Sequence, residues 1–360
     1  MTFLWINLAV VFLFALIARY FSTPVLVGHQ NLVFNVKPNK VLLLISVATL
    51  VVISGLRANI GDTFFYKRIY EINVIDWEFI LSQKDYGFGV LQMLLKNYVS
   101  DDPQVLIFTT ALITNILIVT VLYKYSRLIE VSLYVYITGG LFLVSMNGIR
   151  QMLAAAIFFT ATHFLIKGKF IPYALIVVFA SLFHQSALVL LPIYFIVRFK
   201  AWSRATLLLL VVAVVIVAGF DQFSSLLFSA IEDTQYGGYA DFEEGGANLI
   251  RVTVGAVPLA IAFLGRDKLR KIFPDSDYIV NMSLIGFVFM VIATQNWIFA
   301  RFSLYFELYQ LILISWIVKV FREKDQKLIY FGIILCYLLY YFYDSVITLN
   351  IQYRSDYLML

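Results

Sequence analysis

Asn147-Gly148-Ile149-Arg150-Gln151 breaks an apolar run that extends from residue 128 to residue 166. The run is either one kinked helix or two helices joined by a tight turn, and the charges at its ends decide between them. Cytoplasmic loops of membrane proteins carry an excess of Lys and Arg. Lys124 and Arg127 precede the run, and Lys167 and Lys169 follow it. Both ends therefore face the cytoplasm, the chain crosses an even number of times, and the polar turn lies outside.

Two other long stretches have the same form. Residues 170–198 are broken at Phe183-His184-Gln185-Ser186, and residues 278–318 are broken between Gln295 and Arg301. Arg198, Lys200 and Arg204 close the first, while Arg266–Lys271 and Lys319–Lys327 bracket the second. Both are read as outward-turning hairpins. Added to the single runs at 3–19, 41–56, 103–123, 204–220, 251–264 and 328–347, they make an all-α polytopic membrane protein of about 12 transmembrane helices. The whole chain, 1–360, is one transmembrane domain with both termini outside.

Composition supports this reading. Of the 360 residues, 62% are apolar and only 14% charged, with a mean hydropathy of +0.87, whereas soluble domains are about half apolar and a quarter charged. A disordered chain, a secreted disulfide scaffold and a cytosolic enzyme are all excluded. The first run, Phe3 to Ala18, has no basic residue before it and no small-residue cleavage site after it, so it is read as a retained helix. Cys336 is the lone cysteine, and His29 and His163 have no partners at metal-ligand spacing. No metal and no cofactor is expected.

The net charge of +5 does not point to nucleic acid, because the charges are sorted by side. The inner segments hold 18 of the 27 basic residues but only 6 of the 22 acidic ones. Two outer segments exceed a tight turn, 57–102 and 221–250. In the first, Phe88, Leu91, Leu94, Leu95 and Tyr98 recur at helical spacing with Gln92, Lys96 and Asn97 facing away, which predicts an amphipathic helix on the outer membrane surface. The second joins a short amphipathic piece, Phe223 to Ile231, to a Gly- and acid-rich loop, 236–246, that reads as a lid.

Five of the outer basic residues sit at or just inside a membrane boundary, and all five are arginines: Arg57, Arg150, Arg251, Arg301 and Arg354. Arginine offers a planar fork that grips phosphate bidentately, and near hydrocarbon it costs a few kcal/mol unless paired or hydrated. Snorkelling to lipid headgroups is the simpler account, and it fits Arg150 and Arg301 least well because each lies in an outward turn among other polar residues. His184 is flanked by passes of about 14 residues, hence about 21 Å of helix against about 30 Å of hydrocarbon. Its turn should therefore lie below the outer surface in a wet or protein-lined cavity. There it either caps a helix end or accepts a proton from a hydroxyl. A further cluster runs from Ser54 to Tyr66, where Asp62 is placed either to cap the next helix or to meet an arginine or a sugar hydroxyl. Glu307 is a carboxylate at membrane depth and needs a partner.

With these residues assembled, the chain resembles the EpsG family of Wzy-type exopolysaccharide and capsule polymerases. The resemblance covers nearly the whole chain. It rests on Gly55-x-Arg57 followed by Gly61-Asp62-Thr63-x-x-Tyr66, on Gly87-Phe88 opening an outer helix, on Asn147-x-x-Arg150-Gln151, on Phe183-His184-x-Ser186 and on Arg301-x-x-x-Tyr305. One departure is Asp85, where many relatives are expected to carry Glu.

The resemblance implies a GT-C-like, metal-independent glycosyltransferase in the bacterial cytoplasmic (inner) membrane. It would join undecaprenyl-diphosphate-linked oligosaccharide repeat units on the outer face, with a flippase and a chain-length regulator of the same pathway as partners. Arg57, Arg150, Gln151, Arg251, Arg301, Tyr66 and Tyr305 would bind the substrate and its diphosphate. His184 would be the general base, with Asp62 second. Tyr66, Trp77, Tyr86, Trp297 and Tyr305 would stack on sugar rings. Two other classes compete: a lipid-linked oligosaccharide flippase or transporter, and an acyltransferase that decorates polysaccharide. Transporters show pseudo-symmetric halves with broken helices at the midplane, whereas here the polar residues gather at one face.

Overall fold

A helix that is apolar all round can be satisfied only by lipid or by other helices. The computed structural model describes residues 1–25, 35–220, 222–225 and 245–358, and it is built almost entirely of such helices. Among the described residues, Thr2–Tyr20, Gln104–Tyr125, Ile149–Ile166, Ile298–Val320 and Glu323–Thr348 are each long and apolar enough to cross a bilayer. Two pairs reach that length only together: Ile129–Thr138 with Leu141–Asn147, bent by 56°, and Leu249–Leu264 with Arg266–Ile272, bent by 81°. Lys40–Gly55, Phe170–Ser181, Gln185–Ile196, Arg204–Ala218 and Ser276–Ile292 are shorter apolar helices. The protein is a polytopic helical membrane protein.

The three long stretches break where the polar residues fall. One helix stops at Asn147 and the next starts at Ile149; another stops at Ser181 and resumes as a 3-10 turn at Gln185; a third stops at Ile292 and resumes at Ile298. All three breaks lie at one end of the bundle, beside a common cavity. Both ends of the described chain lie there too. The Phe3 and Tyr353 rings are 5.3 Å apart, and the tail is pinned by Ala58 N–H donating to the Arg354 carbonyl at 2.8 Å.

The opposite end is basic and internally tied. Arg19 Nε meets Glu130 Oε1 at 2.7 Å, and Lys124 Nζ meets His163 Nδ1 at 2.9 Å. The Arg266–Ile272 segment carries Arg266, Lys268, Arg270 and Lys271 and turns away from the helix before it. Its charges are unsuited to hydrocarbon, so it is a surface helix.

Three features differ from the sequence expectation. Thr23–Val25 and Asn35–Lys37 form a short antiparallel strand pair, so the fold is helical but not purely so. Segment 57–102 is three helices, Thr63–Ile72, Trp77–Ser82 and Tyr86–Tyr98, where the sequence pointed to one. In the last of these, Phe88, Gln92 and Leu95 point inward while Leu94 and Tyr98 are exposed. Phe88 and Leu95 pack with Tyr70, Ile75, Ile80, Leu106, Ile107 and Ile149. Three leucines spread around the helix left its apolar face ambiguous, and packing against protein settled it. His29, most of the amphipathic piece 223–231 and most of the lid loop 236–246 lie outside the described residues.

Candidate active site

The helix Lys40–Gly55 ends beside a loop that needs a framework, because its last carbonyls have no partners within the helix. Gln104 Nε2 donates to the Gly55 carbonyl at 2.6 Å. Arg57 serves the same end: Nη1 donates to the Ser54 carbonyl, Nη2 to the Met146 carbonyl at 2.7 Å, and Nε to Thr63 Oγ1 at 2.9 Å. It is 1% exposed. Desolvation pulls its guanidinium down to about 9, with the phenols of Tyr353 and Tyr66 opposing the fall. The structure thus places Arg57 beneath the site as a strut and not on its wall.

Gly61 follows at φ +55°, and a Cβ there would lie 2.3 Å from Asn147 Oδ1. Only glycine lets the loop come this close to the broken helix. Asn147 Oδ1 then accepts from the Asp62 N–H at 3.0 Å. The Asp62 side chain makes no capping bond to the next helix and is exposed on the cavity wall.

Asp85, which the sequence marked only as a departure from an expected Glu, belongs to the site. Gly87 N–H donates to the Leu182 carbonyl at 2.7 Å, and a Cβ at Gly87 would lie 2.8 Å from that of Leu182. This close docking puts Asp85, 4% exposed, against the His184 turn. Its Oδ1 accepts from Gln185 N–H at 3.1 Å. Its Oδ2 lies 2.8 Å from Arg150 Nη1 and 3.3 Å from His184 Nδ1. One buried carboxylate therefore serves an arginine and a histidine together. Arg150 also lies over the Tyr66 ring, 6.0 Å from its centroid. Burial raises the Tyr66 phenol above its usual range, with Asp62 and Asp85 adding to the rise and Arg150 opposing it, so Tyr66 keeps its proton and can donate a hydrogen bond at neutral pH.

A second wall comes from the last helices. Arg251 Nη2 is 3.4 Å from both oxygens of Asp344, and Nε is 3.3 Å from the Tyr340 hydroxyl. Asp344 lies in the π-helical turn Phe342–Thr348, a local irregularity of the kind that often marks functional sites. A third wall is the Gln295–Arg301 turn. Arg301 sits 4.8 Å from the Trp297 ring centroid, and its carbonyl accepts from Gln151 Nε2 at 2.6 Å.

The walls enclose about 440 Å³, within the usual range for a ligand site, and are lined by Asp62, Tyr66, Arg150, Gln151, His184, Arg251 and Arg301 together with Trp297 and Asp344. A narrower space of about 90 Å³ shares Arg251 and Leu304 with it and reaches Glu307 and Gln310 among the helices. Glu307 accepts from Ser303 Oγ.

Other residues singled out from the sequence lie elsewhere. Tyr305 is fully buried with its hydroxyl 2.7 Å from Ser186 Oγ. Trp77 and Tyr86 are exposed on the helices Trp77–Ser82 and Tyr86–Tyr98, away from the cavity lining. Arg354 belongs to the tail, where its N–H donates to Asn59 Oδ1 at 2.8 Å.

Fold and site define a helical membrane protein with an arginine-lined polar cavity at one end of its bundle. The chain belongs to the EpsG family, whose model matches residues 40–355. Members of that family are Wzy-like polymerases, and the chain is a membrane polysaccharide polymerase in that general sense. No curated protein and no solved structure matches it.

Proposed function

We propose that the protein is a GT-C-like glycosyltransferase that joins undecaprenyl-diphosphate-linked oligosaccharide repeat units into an exopolysaccharide or capsular polysaccharide. In this reading the five long helices, the bent pair Ile129–Thr138 with Leu141–Asn147, the helix Leu249–Leu264 and the five shorter helices are twelve passes. The cavity end faces outward from the bacterial cytoplasmic membrane, and the basic end faces in.

The observation that carries the reading is the meeting of Arg150, Arg251 and Arg301 with His184 in one cavity, where the buried Asp85 backs His184 from behind the wall. A hydroxyl of the acceptor sugar attacks the anomeric carbon of the donor. His184 takes the hydroxyl proton through Nε2, the nitrogen not facing Asp85, and the bond from the anomeric carbon to the diphosphate oxygen breaks. A general base of this kind contributes roughly 10²–10⁴-fold. The charge that develops on the departing lipid diphosphate is met by the arginines, and each such donor is worth roughly 10²–10³-fold. Tyr66 and Trp297 offer rings and donors to the sugars, and Asp62 is placed for a sugar hydroxyl. The narrow space beyond Arg251 suits the first units of the lipid tail.

The test is reconstitution of the purified protein with a lipid-diphosphate repeat unit. Ladder-like products that vanish in Arg150→Ala and His184→Ala support the reading. Transbilayer movement of the lipid without polymer growth contradicts it and favours a transporter.

A further inference from the structure

Asp85 Oδ2 is one acceptor atom shared by two donors, and we propose that it changes hands with the substrate. Its short bond is to Arg150, with His184 at the longer contact; when a diphosphate captures Arg150, the bond to His184 tightens, so the base is firmly oriented only while the diphosphate is bound. This rests on the reading of the cavity as a site for transfer from a lipid diphosphate, and it makes Asp85 a positioning residue.

The geometry supplies each part. Arg150 Nη1 is the closer partner, at 2.8 Å against 3.3 Å for His184 Nδ1. The histidine contact is longer than the usual 2.9–3.0 Å for an N–H···O bond, so the arginine has the firmer hold. Arg150 is 39% exposed and lines the cavity, whereas Asp85 is 4% exposed and does not. A ligand in the cavity can therefore reach Arg150 and cannot reach Asp85.

A diphosphate offers a guanidinium a bidentate, doubly charged partner in place of a shared single carboxylate oxygen. Asp85 cannot follow the arginine, because Oδ1 accepts from Gln185 N–H and the Gly87–Leu182 bond pins the backbone two residues on. A buried carboxylate that loses its cation takes the nearest remaining donor, which is His184 Nδ1. That bond fixes the tautomer with the proton on Nδ1 and leaves the Nε2 lone pair for the acceptor hydroxyl. Donor occupancy thus comes before acceptor activation.

The chain has three histidines, so His184 can be observed alone by proton and nitrogen NMR in a His29→Gln, His163→Gln background. The full chain is placed in nanodiscs with or without undecaprenyl diphosphate, and binding of that lipid is followed separately by phosphorus NMR. The expected result is a far-downfield Nδ1–H resonance that appears only with the lipid. In Arg150→Gln the resonance is present without lipid, a gain of signal that misfolding cannot produce. In Asp85→Asn it is absent throughout, while kcat falls at least about 10²-fold with KM little changed. A resonance equally strong with and without lipid, while phosphorus NMR shows binding, overturns the exchange and leaves the glycosyl-transfer reading standing. Its absence from Arg150→Gln also overturns the exchange. Failure of the wild-type protein to bind the lipid overturns the underlying reading and the exchange together.

Discussion

Ser186 Oγ and the Tyr305 hydroxyl lie 2.7 Å apart, 119 residues distant in sequence. The bond fastens the turn that carries His184 to the helix Ile298–Val320, and Tyr305 is fully buried. Through Ser186, two positions on, it ties the His184 turn to that helix. Tyr305→Phe leaves the Ser186 hydroxyl without that partner, at a cost of about 1–3 kcal/mol. The expected outcome is a lower unfolding temperature in detergent and a kcat reduced more than the affinity for the lipid substrate. Thermal melts alongside polymerisation kinetics check both.

Gly61 and Asn147 occupy nearly the same space. Gly61→Ala adds a Cβ that would lie 2.3 Å from Asn147 Oδ1, at φ +55°. The variant should lose most activity and unfold earlier. Asn147→Gly makes room for the new methyl, because the Asn147 Cβ itself would lie 2.6 Å from it, so the double variant should be more stable than the two single effects predict when summed. A double-mutant cycle on unfolding temperature measures this coupling.

Arg57 and Arg301 should fail in different ways. Arg57→Ala removes buried bonds to the Ser54 and Met146 carbonyls and to Thr63, with a penalty of roughly 3 kcal/mol or more from charged hydrogen bonds. It should yield little folded protein. Arg301→Ala should fold and insert normally while transfer falls about 10²–10³-fold. Size-exclusion profiles of both variants, followed by polymerisation assays, separate the two roles.

The sequence revealed the bundle because charge sorting and apolar run length are local properties. The three polar breaks at Asn147, His184 and Gln295–Arg301 could be found the same way, and they mark the cavity's walls. Asp85 could not be found in this way. It sits 99 residues from His184, and only the contact of Gly87 with Leu182 brings them together. Asp344 was hidden differently: it lies near the end of the run 328–347 and reads as the edge of a membrane pass. Arg57 and Tyr305 share residue type with real cavity residues. What separates them is burial, which depends on partners such as Met146 and Ser186 that spacing cannot identify.

The orientation can be tested with single cysteines in a Cys336→Ser background. Glu78 lies on the helix Trp77–Ser82 and Lys200 at the basic end, and both are exposed. Glu78→Cys should react in intact cells with an impermeant thiol reagent, and Lys200→Cys only after the membrane is permeabilised. The reverse pattern would turn the bundle over.

His184 is assigned the chemistry, and other residues of the cavity bind the lipid diphosphate. The most direct measurement is single-turnover transfer by His184→Ala with a purified lipid-diphosphate repeat unit, with lipid binding measured on the same sample. Binding close to that of the wild type is expected, with transfer slower by about 10²–10⁴-fold. Transfer at the wild-type rate by His184→Ala would contradict the assignment.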